Sequence, residues 1–287
     1  MLGLDPDPSA LWPAASEPAR GRSPGSSAAE RAATAVVDHC KALIDATAKA
    51  CVATKLQLAC FERLGAPGWS ALEVVAEHAR SHGLLVIADG KRGDISVSAS
   101  AYAQALIGGV QTPFGEVAGL AADMVTVNPL MGRDTLEPFV GAARAAGAGV
   151  LVLVRTSNPG AADVEDLQLA EGGSVWERLG RIVEELGRSG VGESGCSDVG
   201  AVIGATVPGH LARARELMPH ATFLLPGVGA QGGRVEDLAP AFIPGRAGGL
   251  ITASRSIANA HLTAGGDLAH AARAEAERLR EAAWVLG

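Results

Sequence analysis

Eight short apolar runs, separated by alanine-rich segments of helical period, constrain the fold of this chain more than any other feature. They are Leu2 to Leu4, Cys51 to Leu58, Leu84 to Ala88, Met124 to Val127, Val150 to Val154, Val199 to Ile203, Thr222 to Leu225 and Leu250 to Ala253. Runs this short read as strands buried on both faces, and strands alternating with helices imply parallel pairing through crossovers. The pattern predicts an α/β chain, a closed (β/α)8 TIM barrel forming a single domain over residues 1–287. An open doubly wound sheet is the alternative. Position favours the barrel: Asp5, Lys55, Asp89, Lys91, Asn128, Thr156 and Arg255 all fall at or just past strand ends, where barrels gather functional groups.

Two connections are long for such a fold. Ser9 to Ser27 is rich in Pro, Ala, Ser and Gly and predicts a mobile loop after the first strand. Ser27-Ala-Ala-Glu30 then has the form of a capping box, opening a helix whose apolar face includes Val36, Val37, Cys40, Leu43 and Ile44. Ser157 to Gly173 carries Pro159 and several glycines, and predicts a lid over a pocket.

Composition narrows the function. A net charge of −7 offers no basic stripe for a phosphate backbone, so nucleic acid is not expected as a partner. No apolar run is long enough to span a membrane, the opening MLGLDPDP lacks a basic region, and the four cysteines show no CxxC pairing. A cytoplasmic, reducing setting is expected. The seven histidines offer no ligand-spaced pair strong enough to assign and are read as surface and packing residues, so no metal is expected.

The most informative stretch is Val86-Ile87-Ala88-Asp89-Gly90-Lys91-Arg92-Gly93-Asp94-Ile95, an apolar strand that runs into four charges. In an extended strand Asp89 and Lys91 project to the same side, with Asp94 following in a glycine-loosened turn. Lys55 is flanked by Cys51-Val52-Ala53-Thr54 and Leu56-Gln57-Leu58-Ala59, an apolar setting in which a lysine requires a carboxylate partner. If strands two and three are neighbours, Lys55 reaches Asp89, and two lysines alternate with two aspartates. A structural ion-pair network is the competing reading.

Near the C-terminus, Pro226-Gly227-Val228-Gly229-Ala230-Gln231-Gly232-Gly233 follows the seventh strand and Ser254-Arg255-Ser256 the eighth. These are the usual phosphate positions of a barrel: glycines admit an anion to backbone N–H groups, a helix N-terminus adds its dipole, and Arg255 offers a planar fork. Glycines also simply end strands and helices. The pairing with Arg255 favours a phosphorylated small molecule.

Together these residues resemble the orotidine 5'-phosphate decarboxylases, particularly the longer bacterial subgroup. The resemblance runs nearly end to end, through Gly3-Leu4-Asp5-Pro6, Lys55 with Phe61-Glu62-Arg63, Asp89 to Ile95, Thr126-Val127-Asn128-Pro129, Arg155 to Gly160, Pro226 to Gly233 and Ser254-Arg255-Ser256. It implies a cofactor-independent lyase that converts orotidine 5'-phosphate to uridine 5'-phosphate and CO2 in pyrimidine synthesis. Lys91 would be the proton donor to C6, within a network of Lys55, Asp89 and Asp94. The family's active site lies at a homodimer interface, so Asp94, Ile95 and Ser98 would complete the neighbour's pocket. Asp5 and Lys55 would hold ribose hydroxyls, and Ser157 would contact the pyrimidine. Gln231 and Arg255, with Pro226 and Ser254 beside them, would hold the phosphate.

The chain departs from the family pattern at Ser98, where threonine is usual, and at Leu130, where tyrosine is usual. Only two residues precede Gly3, so either helical cover at the barrel's base is thin or the start lies upstream. Two rivals remain. Hexulose-phosphate synthases share an Asp-x-Lys-x-x-Asp run but use magnesium, with a glutamate where Lys55 stands. A catalytically silent barrel would keep the phosphate site and lose turnover.

Overall fold

The computed structural model describes residues 1–20, 25–229, 231–243 and 245–287. All eight apolar runs become strands of one sheet: β1 (Leu2–Leu4), β2 (Ala53–Gln57), β3 (Leu85–Arg92), β6 (Met124–Val127), β7 (Gly149–Arg155), β8 (Val199–Ile203), β9 (Phe223–Leu225) and β10 (Gly249–Ile251). They stand in the order β1-β2-β3-β6-β7-β8-β9-β10, and each recorded pairing is parallel. Val150, Leu151, Val152 and Val154 are buried without alternation, as a strand covered on both faces requires.

The residues form two compact units, Met1–Gly90 with Ala253–Arg280, and Lys91–Thr252 with Glu281–Gly287. The first contains β1, β2 and most of β3, with helices α1 (Pro13–Arg20), α2 (Ala28–Thr47), α3 (Leu58–Glu62) and α4 (Ala66–Ser81), then α9 (Arg255–Ala258), α10 (His261–Ala264) and most of α11 (Leu268–Trp284). Leu2 forms a parallel bridge with Ala253, and Gly3 donates its N–H to the Ala253 carbonyl at 2.8 Å. The second contains β6 to β10 with α5 (Ser96–Leu106), α6 (Glu137–Ala146), α7 (Val175–Gly187) and α8 (Gly209–Leu217).

The capping box holds: Ser27 Oγ accepts from Glu30 N, and Glu30 Oε2 accepts from Ser27 N at 2.6 Å. Behind it Val36, Cys40, Leu43 and Ile44 are buried, and Val37 is half-buried.

The segment Ser9 to Ser27 corrects the loop expectation, because it contains α1. Pro13 occupies the first helical position, where its missing N–H costs nothing. Trp12 ahead of it is buried, donating Nε1–H to the Ala258 carbonyl at 2.9 Å and its backbone N–H to His39 Nδ1 at 3.1 Å. Residues 21–24 of that segment lie outside the described residues.

A hairpin of β4 (Gly109–Thr112) and β5 (Gly115–Ala118) is the second departure from the eight-run pattern. Its residues are half-buried or exposed, so no apolar run announces it. Among the described residues no helix is long and apolar enough to cross a membrane, and all four cysteines are free.

Candidate active site

Parallel pairing of β2 and β3 sets Lys55 opposite Ile87 and Gln57 opposite Asp89. Side chains two residues apart on a strand share a face, so Lys55 and Gln57 point to the side on which Asp89 lies. Lys55 Nζ is 2.5 Å from Asp89 Oδ2 and 3.5 Å from Asp5 Oδ1, while Gln57 Nε2 donates to the same Asp89 oxygen at 3.2 Å. Lys55 and Asp89 are both buried, at 5% and 3% exposure, and Asp5 is open to solvent. Burial alone would lower the Lys55 pKa; the Asp89 and Asp5 carboxylates, with their hydrogen bonds, outweigh it and hold the ammonium above its usual value.

Lys91 lies on β3 two residues past Asp89 and is exposed. Its φ of 48° departs from the extended geometry, so regular alternation does not carry through it as the sequence suggested. Its backbone N–H donates to Thr126 Oγ1 at 2.9 Å, and the Asn128 N–H donates to the Arg92 carbonyl at 2.7 Å, which ties the end of β3 to the end of β6. Asp94 is half-buried and accepts the Ile95 N–H at 2.8 Å. Ile95 and Ser98 are exposed at the start of α5.

After β7, Arg155 is buried with its fork closed on Asp166: Nε to Oδ1 at 2.8 Å and Nη2 to Oδ2 at 2.9 Å. The Thr156 N–H donates to Glu165 Oε2 at 2.8 Å. The long connection expected as a lid is therefore pinned through Glu165 and Asp166 at its middle, and contains a short turn over Pro159–Asp163. Ser157 Oγ donates to Gln231 Oε1 at 2.9 Å, and Thr206 Oγ1 donates to the Ser157 carbonyl at 3.1 Å.

The glycine loop after β9 turns tightly. Gly227 has φ 103°, and Gly233 N donates to the Gly227 carbonyl at 3.0 Å. A Cβ on Gly233 would stand 2.8 Å from that carbonyl oxygen and 3.0 Å from Ala205, so only glycine lets the loop close. Pro226 is half-buried and Gln231 exposed in this loop; Ala230 lies outside the described residues. Arg255 is exposed and Ser254 half-buried, and α9 is only four residues long, so the helix dipole expected there is small.

The structure thus brings Asp5, Lys55 and Asp89 together in one unit and Ser157 and Gln231 together in the other. Sequence reasoning did not single out Gln57, Thr126, Glu165, Asp166 or Thr206. Arg155 was legible in principle: it ends the apolar run Val150 to Val154 as Lys55 interrupts its own.

Residues 2–266 match the Orotidine 5'-phosphate decarboxylase / HUMPS family. A curated relative from Deinococcus radiodurans, described as orotidine 5'-phosphate decarboxylase, is 48% identical over 216 residues, 75% of this chain and 74% of its own length. One of the same description from Rhodopirellula baltica is 42% identical over 232 residues, 80% of this chain and 74% of its own. Among solved structures, an OMP decarboxylase from Leishmania donovani superposes with a TM-score of 0.71 at 32% identity, covering 99% of this chain and 92% of that one.

Proposed function

The chain belongs to the orotidine 5'-phosphate decarboxylase / HUMPS family, and from that premise we propose how its residues perform the reaction. It decarboxylates orotidine 5'-phosphate to uridine 5'-phosphate and CO2, a step of pyrimidine synthesis, without a cofactor. The observation that carries the residue assignment is the buried Lys55–Asp89 pair, with Lys91 two positions further along β3.

Loss of CO2 leaves an electron pair on C6 of the pyrimidine. Lys91 stabilises that developing charge and delivers a proton to C6. Asp89 faces the departing carboxylate, and its repulsion favours release; Lys55 holds Asp89 in place and, with Asp5, takes the ribose hydroxyls. Ser157 contacts the pyrimidine. Gln231 and Arg255 hold the phosphate beside Pro226 and Ser254, and binding energy gained there offsets the crowding at C6. The Ser157–Gln231 hydrogen bond supports this arrangement, since it couples the two ends of the nucleotide.

The working form is a homodimer in which Asp94, Ile95 and Ser98 complete the neighbour's site. Its support is the apolar surface on and near α5: Val97 is 82% exposed, Phe114 at the hairpin tip 99%, and Leu130 78%. A single-domain (β/α)8 barrel is the architecture we propose, supported by eight parallel strands that alternate with helices. A cytoplasmic location fits a pathway enzyme of this kind.

A magnesium-dependent aldol-type reaction, the activity of the hexulose-phosphate synthases, is disfavoured because the Lys55 ammonium already occupies the Asp89 oxygen that a cation would need. The test is uridine 5'-phosphate formation from orotidine 5'-phosphate in excess chelator: undiminished turnover is expected, and turnover that requires added magnesium would overturn the assignment.

A further inference from the structure

Away from the decarboxylase machinery, three side chains meet at the C-terminal ends of the two helices that precede β2 and β3. Asp45 lies near the end of α2, His78 in the last turn of α4, and His82 is the residue that ends α4. His78 Nε2 is 2.7 Å and His82 Nε2 3.1 Å from Asp45 Oδ1, and the two imidazole rings are 4.5 Å apart. One ligand atom from each of the three lies within 4.8 Å of the other two.

The protonation of His82 is constrained by its other nitrogen. Nδ1 is 2.9 Å from the His78 carbonyl, which can only accept, so Nδ1 carries the hydrogen. A neutral His82 then turns the lone pair of Nε2 toward a carboxylate oxygen at hydrogen-bond distance, an arrangement that requires either a second proton or a cation between them. A backbone carbonyl holding Nδ1–H, with Nε2 facing a carboxylate, is also the outer-shell arrangement that prepares a histidine to bind metal. The neighbouring groove is lined by Lys41, Glu73 and Glu77, the last of which is ion-paired with Arg80 at 3.2 Å.

We infer that Asp45, His78 and His82 form a binding site for a divalent transition ion of the zinc type, clipping the end of α2 to the end of α4. Two imidazoles and one carboxylate are borderline donors that suit Zn2+ or Co2+, with water filling the remaining position. Ligands of a tetrahedral zinc stand roughly 3.3 Å apart, so the half-exposed Asp45 needs only a small shift to accommodate the ion. Burial of the site is slight, and its place at the starting ends of the strands points to stabilisation rather than catalysis. The spacing His-x-x-x-His carries little signal in the sequence, because the third ligand comes from another helix.

The test is titration of the whole protein with Co2+ under reducing conditions. One equivalent should bind with the visible bands of nitrogen and oxygen coordination and no thiolate charge-transfer band, be displaced by Zn2+, and weaken at least about tenfold in His82→Ala and His78→Ala. Zinc about a hundredfold above its dissociation constant should raise the Tm of the unmodified protein by roughly 4–5 °C, and not that of His82→Ala. Decarboxylation should be unchanged in both variants. No binding, binding that survives both substitutions, or a thiolate band would overturn the site and leave a proton between His82 and Asp45.

Discussion

Lys55 reaches Asp89 diagonally across the β2–β3 ladder, its Nζ 2.5 Å from Oδ2 with both side chains buried, while Gln57 stands directly opposite Asp89 and donates to the same oxygen. Removing the ammonium alone takes the Lys55 charge away from a buried carboxylate. Lys55→Met should cost about 3–5 kcal/mol in urea unfolding, and Lys55→Met with Asp89→Leu should recover much of that loss. Both should be inactive. A single variant as stable as the parent would mean that the pair is hydrated.

The same pair predicts an alkaline limit. The Lys55 pKa is raised on folding, so its contribution is complete below the unfolded value of 10.5 and is lost as pH rises through the folded value. Denaturant midpoints should fall more steeply above that range in the parent than in the double variant. Parallel profiles would contradict it.

His39 predicts the acid limit. Its Nδ1 accepts the Trp12 N–H, so the ring is neutral, and burial lowers its pKa to about 4 from 6.5. The unfolded chain then binds the extra proton first, and stability falls as pH drops from 6.5 toward 4, by roughly 3 kcal/mol. His39→Gln should flatten that slope. An unchanged slope would place the acid sensitivity elsewhere.

Lys91 has a left-handed φ of 48°, a conformation that costs an L-residue roughly 1–2 kcal/mol. Lys91→Gly and Lys91→Ala both remove the ammonium, yet only glycine relieves the backbone. The glycine variant should be the more stable of the two by about 1 kcal/mol, with neither turning over. Equal stabilities would show that the strain is not held in solution.

If binding energy at the phosphate supports the chemistry at C6, Arg255→Ala should lower kcat as well as raise KM. A change confined to KM would separate the two ends of the site.

The eight apolar runs foretold the eight strands because a strand covered on both faces needs no pattern other than continuous hydrophobicity. The β4–β5 hairpin has no buried face and left no such trace. Helix α1 was missed because its order rests on Trp12 reaching the Ala258 carbonyl 246 residues away, a contact that local composition cannot announce. In the site, Lys55–Asp89 was legible, since a lysine in an apolar run demands a carboxylate. The Asp166 clamp on Arg155 was not, because its loop reads only as glycine-rich and polar. The regular alternation expected at Lys91 gave way to a positive φ that no side-chain pattern encodes.

The most direct measurement compares the parent protein and Lys91→Ala for uridine 5'-phosphate formation and for binding of the nucleotide product. The account predicts that the variant binds the product and loses turnover by several orders of magnitude. Turnover that survives the substitution would remove Lys91 from the reaction and contradict the account.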